Sequence, residues 1–361
     1  MIKYLGSKRL LLPSILESVY AALPGGRGTV LDLFSGTARV GHALKGAGFA
    51  VIANDHLAYA HVLARCYVEA DAEVVGAEAA ELLGELGARP PKAGWFTELY
   101  AHRSRYLHPE NAARIEAIRE AIESLNARPL VRAVLLVSLL EAADRVDSTV
   151  GVQMAYLKRW APRALKPLEL RLPALLPRAR SGPGRALCLD ACDAASIEAD
   201  LVYIDPPYNQ HSYLGNYHVW ETLVRWDQPE VYGVACKRID CRERRSDFNR
   251  KSRCRAALND VLSRIRAPKI LVSFSDEGYI ARDELETMLS SLGVCTVVEH
   301  PYRRYMGARI GIYNPRGERV GRVGALSNTE FLFLVERATG ATGGGPLDKQ
   351  PLDIHPTMRR P

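Results

Sequence analysis

The densest chemistry in this sequence lies at Asp205-Pro206-Pro207-Tyr208, entered from the apolar run Leu201-Val202-Tyr203-Ile204. Four apolar residues ahead of two prolines predict a strand that must stop, because neither proline can donate a ladder hydrogen bond. A rigid strand end of this kind gathers a carboxylate, a peptide carbonyl and an aromatic ring around one point. In open α/β sheets that point lies outside the carboxyl ends of the strands, where ligands bind. The set suits methylation of an exocyclic amino group on a nucleobase. Such a nitrogen is a poor nucleophile, since its lone pair is delocalised into the ring. The Asp205 carboxylate and the Pro206 carbonyl can accept both amino hydrogens, which favours a pyramidal nitrogen with its lone pair aimed at a methyl donor. Tyr208 can stack on a base flipped out of the duplex. The bland alternative is a strand-to-turn corner with a capping aspartate.

Three further groups stand at places where ligands bind. Asp32-Leu33-Phe34-Ser35-Gly36 follows an apolar run at residues 29–31. Gly36 permits a tight turn and close backbone approach, and the next helix N-terminus presents N–H donors to an anion. This is not the G-x-G-x-x-G of dinucleotide enzymes, and by itself it also fits a plain β-to-α turn. Asn54-Asp55 closes a second apolar run, 55 − 32 = 23 residues after Asp32. Rossmann-like sheets place a ribose-binding acid at about that distance. Taken alone, Asp55 reads equally well as a loop acid. Residues 3–8 (KYLGSK) contain Lys3, Tyr4 and Lys8, and alone they read as a solvated basic end.

The elements that must position these residues fall into three segments. Up to about residue 60 the pattern is a helix at 10–23, a strand at 29–34, a helix at 37–47 and a strand at 50–53, a βαβ signature. Residues 57–180 read as helical, with apolar residues at helical spacing through 63–86 and 115–125 and an almost wholly apolar helix at 130–143. From 185 to 336 the chain returns to α/β, with strands expected at 185–189, 201–204, 270–274, 295–299 and 331–335 and a helix at 283–292. Beyond Gly340 the composition predicts a disordered tail.

The 361 residues carry a net charge of +7, 47% hydrophobic and 25% charged residues. That suits one large globular domain or a core with an insertion. Between Lys237 and Arg255 nine Lys/Arg face three acids, and between Lys158 and Arg185 eight face one. Two such runs point to a surface that tracks phosphates, with Arg244, Arg245 and Lys251 as contacts. The alternative for either run is a solvated face. The seven cysteines include no C-x-x-C pair, so no metal site is expected. The most apolar stretch, residues 130–140, is too short to span a bilayer and contains Arg132, and no signal peptide opens the chain. A cytoplasmic protein with no membrane partner is expected.

In their order along the chain these groups resemble the Dam-like, alpha-class adenine-specific DNA methyltransferases. That family opens with K-[WY]-x-G-x-K (here residues 3–8) and continues with D-x-F-x-G (Asp32 to Gly36). An acid after the second strand follows (Asp55), then a recognition insertion, then D-P-P-Y (Asp205 to Tyr208). The resemblance implies a Rossmann-like sheet built from residues 1–60 and 185–336. It also implies a helical target-recognition insertion at 61–184, ahead of a tail at 337–361. It implies S-adenosylmethionine as cofactor, held by Tyr4, Lys8, Asp32, Phe34, Ser35, Gly36 and Asp55. Asp193 resembles the acid that flanks the cofactor's adenine ring. Asp205, Pro206, Pro207 and Tyr208 become the catalytic corner and duplex DNA the substrate. Residues 209–221, 144–158 and 301–304, the last with Arg303 and Arg304 as DNA contacts, resemble a branch that includes modification enzymes of restriction systems, which suggests a restriction endonuclease as partner. The basic, Gly-rich residues 307–324 read as a hairpin over the DNA or a surface loop.

Two rival activities use the same acceptors: methylation of the cytosine N4 amino group, and amino methylation of RNA. Asp at position 205 tilts towards adenine, and the opening segment with its insertion tilts towards duplex DNA. Attack on a cytosine carbon needs a cysteine nucleophile, usually as Pro-Cys, and the sequence has no such dipeptide.

Overall fold

The computed structural model describes residues 1–303, 312–313, 319–321 and 327–337. Its centre is a seven-stranded sheet: β1 (Thr29–Asp32), β2 (Ala50–Asn54), β3 (Arg185–Leu187), β4 (Leu201–Ile204), β5 (Lys269–Ser275), β6 (Val294–Arg303) and β7 (Ser327–Glu336). The spatial order is β3-β2-β1-β4-β5-β7-β6. The strands from β1 to β5 pair in parallel, and β7 runs antiparallel between β5 and β6. The result is a mixed α/β sheet, parallel over five strands with an antiparallel strand inserted at one edge. The order reverses between β1 and β4, so a crevice opens where their carboxyl ends part.

Why these runs form strands is visible in their burial. Leu201, Val202, Tyr203 and Ile204 are all buried, as is every residue of β2. Parallel strands covered on both faces need such continuous apolar runs. Side chains alternate between two clusters. Val30, Val51, Leu201, Tyr203 and Leu271 face one way. Leu31, Ile52, Val202, Ile204, Ile270 and Val272 face the other.

The first face is covered by α1 (Leu12–Ala22), α2 (Arg39–Gly46) and α3 (Ala58–Ala64), then by α4 (Ala72–Gly87), α5 (Pro109–Ser124) and α6 (Pro129–Arg145). The helix α7 (His218–Arg225) joins them, and α8 (Cys254–Arg264) and α9 (Arg282–Ser290) cover the second face. The apolar residues of α4, α5 and α6 belong to the same cluster as Val30 and Tyr203, so the helical segment and the sheet share one core. Arg119 of α5 is buried and donates from Nε to the Leu223 carbonyl (2.7 Å) and from Nη2 to that of Val224 (3.0 Å). It thereby satisfies carbonyls that the end of α7 leaves open.

All seven runs expected as strands are strands, Leu201–Ile204 with the expected ends and the other six with shifted ones. The first stops at Asp32 rather than Phe34, because the Leu33 and Ser35 amides turn to the carbonyls of Tyr203 (3.1 Å) and Asn54 (2.9 Å). The helical stretch at 63–86 is broken at Ala70, which is extended (φ −73°, ψ 132°). There the buried Lys45 ammonium holds the carbonyls of Val68 and Ala70 and the Asp71 carboxylate at 2.7–3.0 Å. The helix α8 was not anticipated, although its Leu258, Val261 and Leu262 follow helical spacing and are buried. Residues 312–313 pair antiparallel with 319–321, as a hairpin within 307–324 would require. The rest of that loop, Arg304 and residues 338–361 lie outside the described residues. Among the described residues no helix is long and apolar enough to cross a membrane, and no cluster of His, Cys, Asp or Glu could hold a metal ion.

Candidate active site

Asp205 leaves the sheet where β4 ends beside β1, with Tyr203 in register with Asp32. Its Oδ1 lies 3.0 Å from the ammonium of Lys8, which also reaches Glu330 Oε2 at 3.2 Å. The Lys8 side chain is only 4% exposed and comes from the single 3-10 turn Lys8–Leu10. Glu330 stands early in β7, opposite Ser275 at the end of β5. Because β7 runs antiparallel, its beginning lies at the carboxyl ends of the parallel strands, on the same edge as Asp205.

Burial governs the charges here. It pushes the Asp205 carboxyl up to about 6; Lys8 opposes the rise and Glu330 adds to it. Burial, and then the Asp205 charge, bring Asp32 to about 7, against a 3.1 Å hydrogen bond from the Gly41 amide. Burial alone would weaken the Lys8 charge, yet Asp205 first, and Glu330 among others, keep the ammonium well above the usual lysine range.

A cleft of about 650 Å³, partly open to solvent, joins Asp205 to the ends of β1 and β2. Tyr4, Lys8, Asp32, Phe34, Ser35, Gly36 and Asp55 all line it. Asp55 accepts from the Gly36 amide (3.0 Å) and the Leu57 amide (3.0 Å), so the D-x-F-x-G loop and the β2 acid form one unit. Gly36 has φ +51°, and a Cβ on it would stand 3.0 Å from the Tyr4 hydroxyl. Glycine is therefore required twice over, by backbone and by space.

The opening segment is what binds the pieces together. Tyr4 stacks between Tyr213 (5.1 Å, 12°) and Tyr217 (4.8 Å, 15°), just after the D-P-P-Y corner. The Leu5 amide donates to the Tyr217 hydroxyl (2.6 Å). Lys3 reaches back to the helical segment, donating to Asp147 Oδ1 (2.8 Å). Within residues 3–8, Lys3, Tyr4, Leu5 and Lys8 thus touch the helical segment, the corner and the chain beyond it, and β7.

Tyr208 lies against Phe274 (5.2 Å) and lines a second, apolar pocket of about 190 Å³ with Phe248 and Ile280; Pro207 borders both pockets. Phe248 meets Phe34 edge-on (5.3 Å, 78°). Asn249 donates to the carbonyls of Asn209 (2.7 Å) and His211 (3.1 Å), which ties the basic run to the chain leaving the corner. Within that run Arg244, Arg245 and Lys251 are exposed. Arg244 approaches the carbonyl of His56, beside Asp55, at 3.4 Å. Arg238 differs: it is buried and paired with Asp227 (2.7 Å) and Asp240 (3.1 Å), a structural ion cluster.

Asp193 is exposed on the short helix Ala191–Ala194 and is not among the cleft lining. Asp190 caps that helix, accepting from the Cys192 amide (2.9 Å). Arg303 ends β6. Glu330 and Arg39 were not anticipated. Arg39 lines the cleft at the start of α2, and its buried Nε has no hydrogen-bond partner among the described residues. Its place near the start of the helix that follows the Asp32–Gly36 loop was the available sign.

A mostly parallel sheet with its crevice at the β1–β4 parting, an acid–Pro–Pro–aromatic corner and an acid closing the second strand fit the class of α/β methyltransferases. A model of the D12 class of N6 adenine-specific DNA methyltransferases matches residues 4–288, and the chain belongs to that family. It is 31% identical over 349 residues to Type II methyltransferase M.NlaIII of Neisseria lactamica, covering 93% of this chain and 99% of that one. It is 30% identical to Modification methylase StsI of Streptococcus sanguinis (86% of this chain, 50% of the relative). It is also 30% identical to Type II methyltransferase M.FokI of Planomicrobium okeanokoites (84% and 50%). The chain thus spans about half the length of several relatives it matches.

Proposed function

We propose that this chain transfers the methyl group of S-adenosylmethionine to the N6 amino group of adenine, at a specific sequence in duplex DNA, after flipping the base out. The observation that carries the reading is the D-P-P-Y corner at the sheet's switch point, with Asp205 ionised above about pH 6. The Asp205 carboxylate and the Pro206 carbonyl accept the two amino hydrogens and leave the nitrogen lone pair free. Tyr208 supplies the aromatic face against which the base stacks.

The cleft suits this cofactor. S-adenosylmethionine would supply a methyl carbon made electrophilic by its sulfonium. Both Asp55 oxygens already accept one backbone amide, and each keeps a lone pair for a ribose hydroxyl. The Arg39 guanidinium, whose buried Nε has no hydrogen-bond partner among the described residues, suits the cofactor's carboxylate. Gly36 lets the backbone approach closely, and Phe34 gives an apolar wall.

In this reading the helical segment 61–184 recognises the target, and Arg244, Arg245 and Lys251, with Arg303 and Arg304, hold phosphates. A restriction endonuclease of the same specificity is the expected partner, in keeping with relatives named as modification and Type II methyltransferases. The site of action is then the cytoplasm. Incubation with DNA and S-adenosylmethionine, followed by nucleoside mass spectrometry, tests the proposal. N6-methyladenine is expected; N4-methylcytosine, or methylation of RNA alone, would overturn it.

A further inference from the structure

We propose that Glu330 is a positioning residue for the transfer: through Lys8 it fixes the Asp205 carboxylate and keeps it a strong acceptor for the target amino group. The proposal rests on the amino-methylation reading above. An ammonium has three donors and no acceptor, so Lys8 can serve two carboxylates at once. It does so at 3.0 Å for Asp205 and 3.2 Å for Glu330, with its own side chain almost fully buried. Two carboxylates on one cation leave the cluster with one net negative charge. If Lys8 answered to Asp205 alone, it would draw on the electron pairs that must face the substrate. Sharing the ammonium with Glu330 leaves Asp205 oriented but still basic.

Glu330 is well placed to hold this position. The residue before it is pinned to the β5 end from both sides: the Thr329 amide donates to Asp276 Oδ2 (2.9 Å) and the Asp276 amide to the Thr329 carbonyl (3.1 Å). Phe331 and Phe333 anchor the strand that follows in the core. The groups that face Asp205 are Lys8 from the 3-10 turn, Glu330 from β7, Asp32 from β1, and the phenols of Tyr203 and Tyr213, while the Tyr208 ring lies under the Lys8 ammonium. Among the described residues Lys8 is the one cation in that group.

The two charges must then act on Asp205 in opposite directions. Removing the Glu330 charge lowers the proton affinity of Asp205, and removing the Lys8 charge raises it. A residue that merely filled space would impose no such pair of opposed shifts.

The test uses the full chain carrying carboxyl-labelled aspartate, followed by carbon NMR from pH 4 to 9. The Asp205 signal is identified by its loss in Asp205→Asn. Single-turnover methyl transfer to DNA is measured over the same range. In Glu330→Gln the Asp205 midpoint and the acid limb of the rate should both fall, by about 0.5–1 pH unit. The rate at pH 7.5 should drop about tenfold, less than the ~10²–10³ typical of losing a direct partner. Glu330→Asp should keep the parent midpoint, and Lys8→Gln should raise it. An unmoved or raised midpoint in folded Glu330→Gln overturns the proposal. If that variant does not fold, Lys8→Gln/Glu330→Gln is compared with Lys8→Gln, where the same downward step is expected and its absence overturns the proposal. A wild type that methylates no adenine amino group overturns the underlying reading too. Transfer by the wild type with an unmoved midpoint overturns this inference alone.

Discussion

A carboxylate that must accept hydrogen bonds near neutral pH benefits from being basic, and burial does this for Asp205 by bringing it to about 6. Its ionised form is lost as pH falls through that value, so transfer should weaken there. Asp55 has a different task at the neighbouring strand end. Asp55→Ala removes a charged acceptor from the cofactor cleft, and cofactor binding measured by calorimetry should weaken by about 1–3 kcal/mol. Unchanged affinity would remove Asp55 from the cofactor site. Asp32, Asp55 and Asp205 were legible because each closes an apolar run, a signal within a few residues. Glu330 was not legible: it sits in a strand-like stretch, and its partner Lys8 is 322 residues away. No local spacing reports a contact of that range.

At the scale of elements, the turn over residues 240–255 is where charge becomes position. Phe248 on Phe34 and Asn249 on the post-corner carbonyls seat this basic turn against the loops that leave β1 and β4. Reversing Arg244 and Arg245 to Glu should weaken binding to all DNA sequences and flatten its dependence on salt, since phosphate contacts set that slope. An unchanged slope would make the turn a solvated face; loss at one sequence alone would make these arginines base readers. The sequence shows nine basic residues between Lys237 and Arg255 but does not sort them. Arg238 and Arg244 look alike in one dimension, and only the fold puts Asp227 and Asp240 around the first. Likewise the strands were legible as continuous apolar runs, whereas the break at Ala70 was not, because it depends on Lys45 reaching across from α2.

At the scale of the molecule, the helical segment and the sheet share one core, and the opening segment crosses between them. Asp144, at the end of α6, accepts from the Lys3 amide at 3.0 Å. Burial raises it from 3.8 to about 7, with Lys3 opposing. The folded state therefore holds that proton to higher pH than the unfolded chain does, so this group's contribution to stability is lost as pH rises from about 4 to about 7. Asp144→Asn should flatten the fall of Tm between pH 5 and 8; an identical slope would show that Asp144 does not titrate this way. The reaction is also a property of the assembled whole, since Asp205, Lys8 and the Asp55 cleft come from distant parts of the chain. Single-turnover methyl transfer by Asp205→Ala, with a thermal melt and a cofactor titration alongside, tests the central claim most directly. The variant should fold and bind cofactor nearly as the parent does, because Asp205 fills no core space and the proposed cofactor contacts lie on other residues. Its transfer rate should fall by ~10²–10³ or more. A folded Asp205→Ala protein that methylates DNA at the parent's rate would contradict the account.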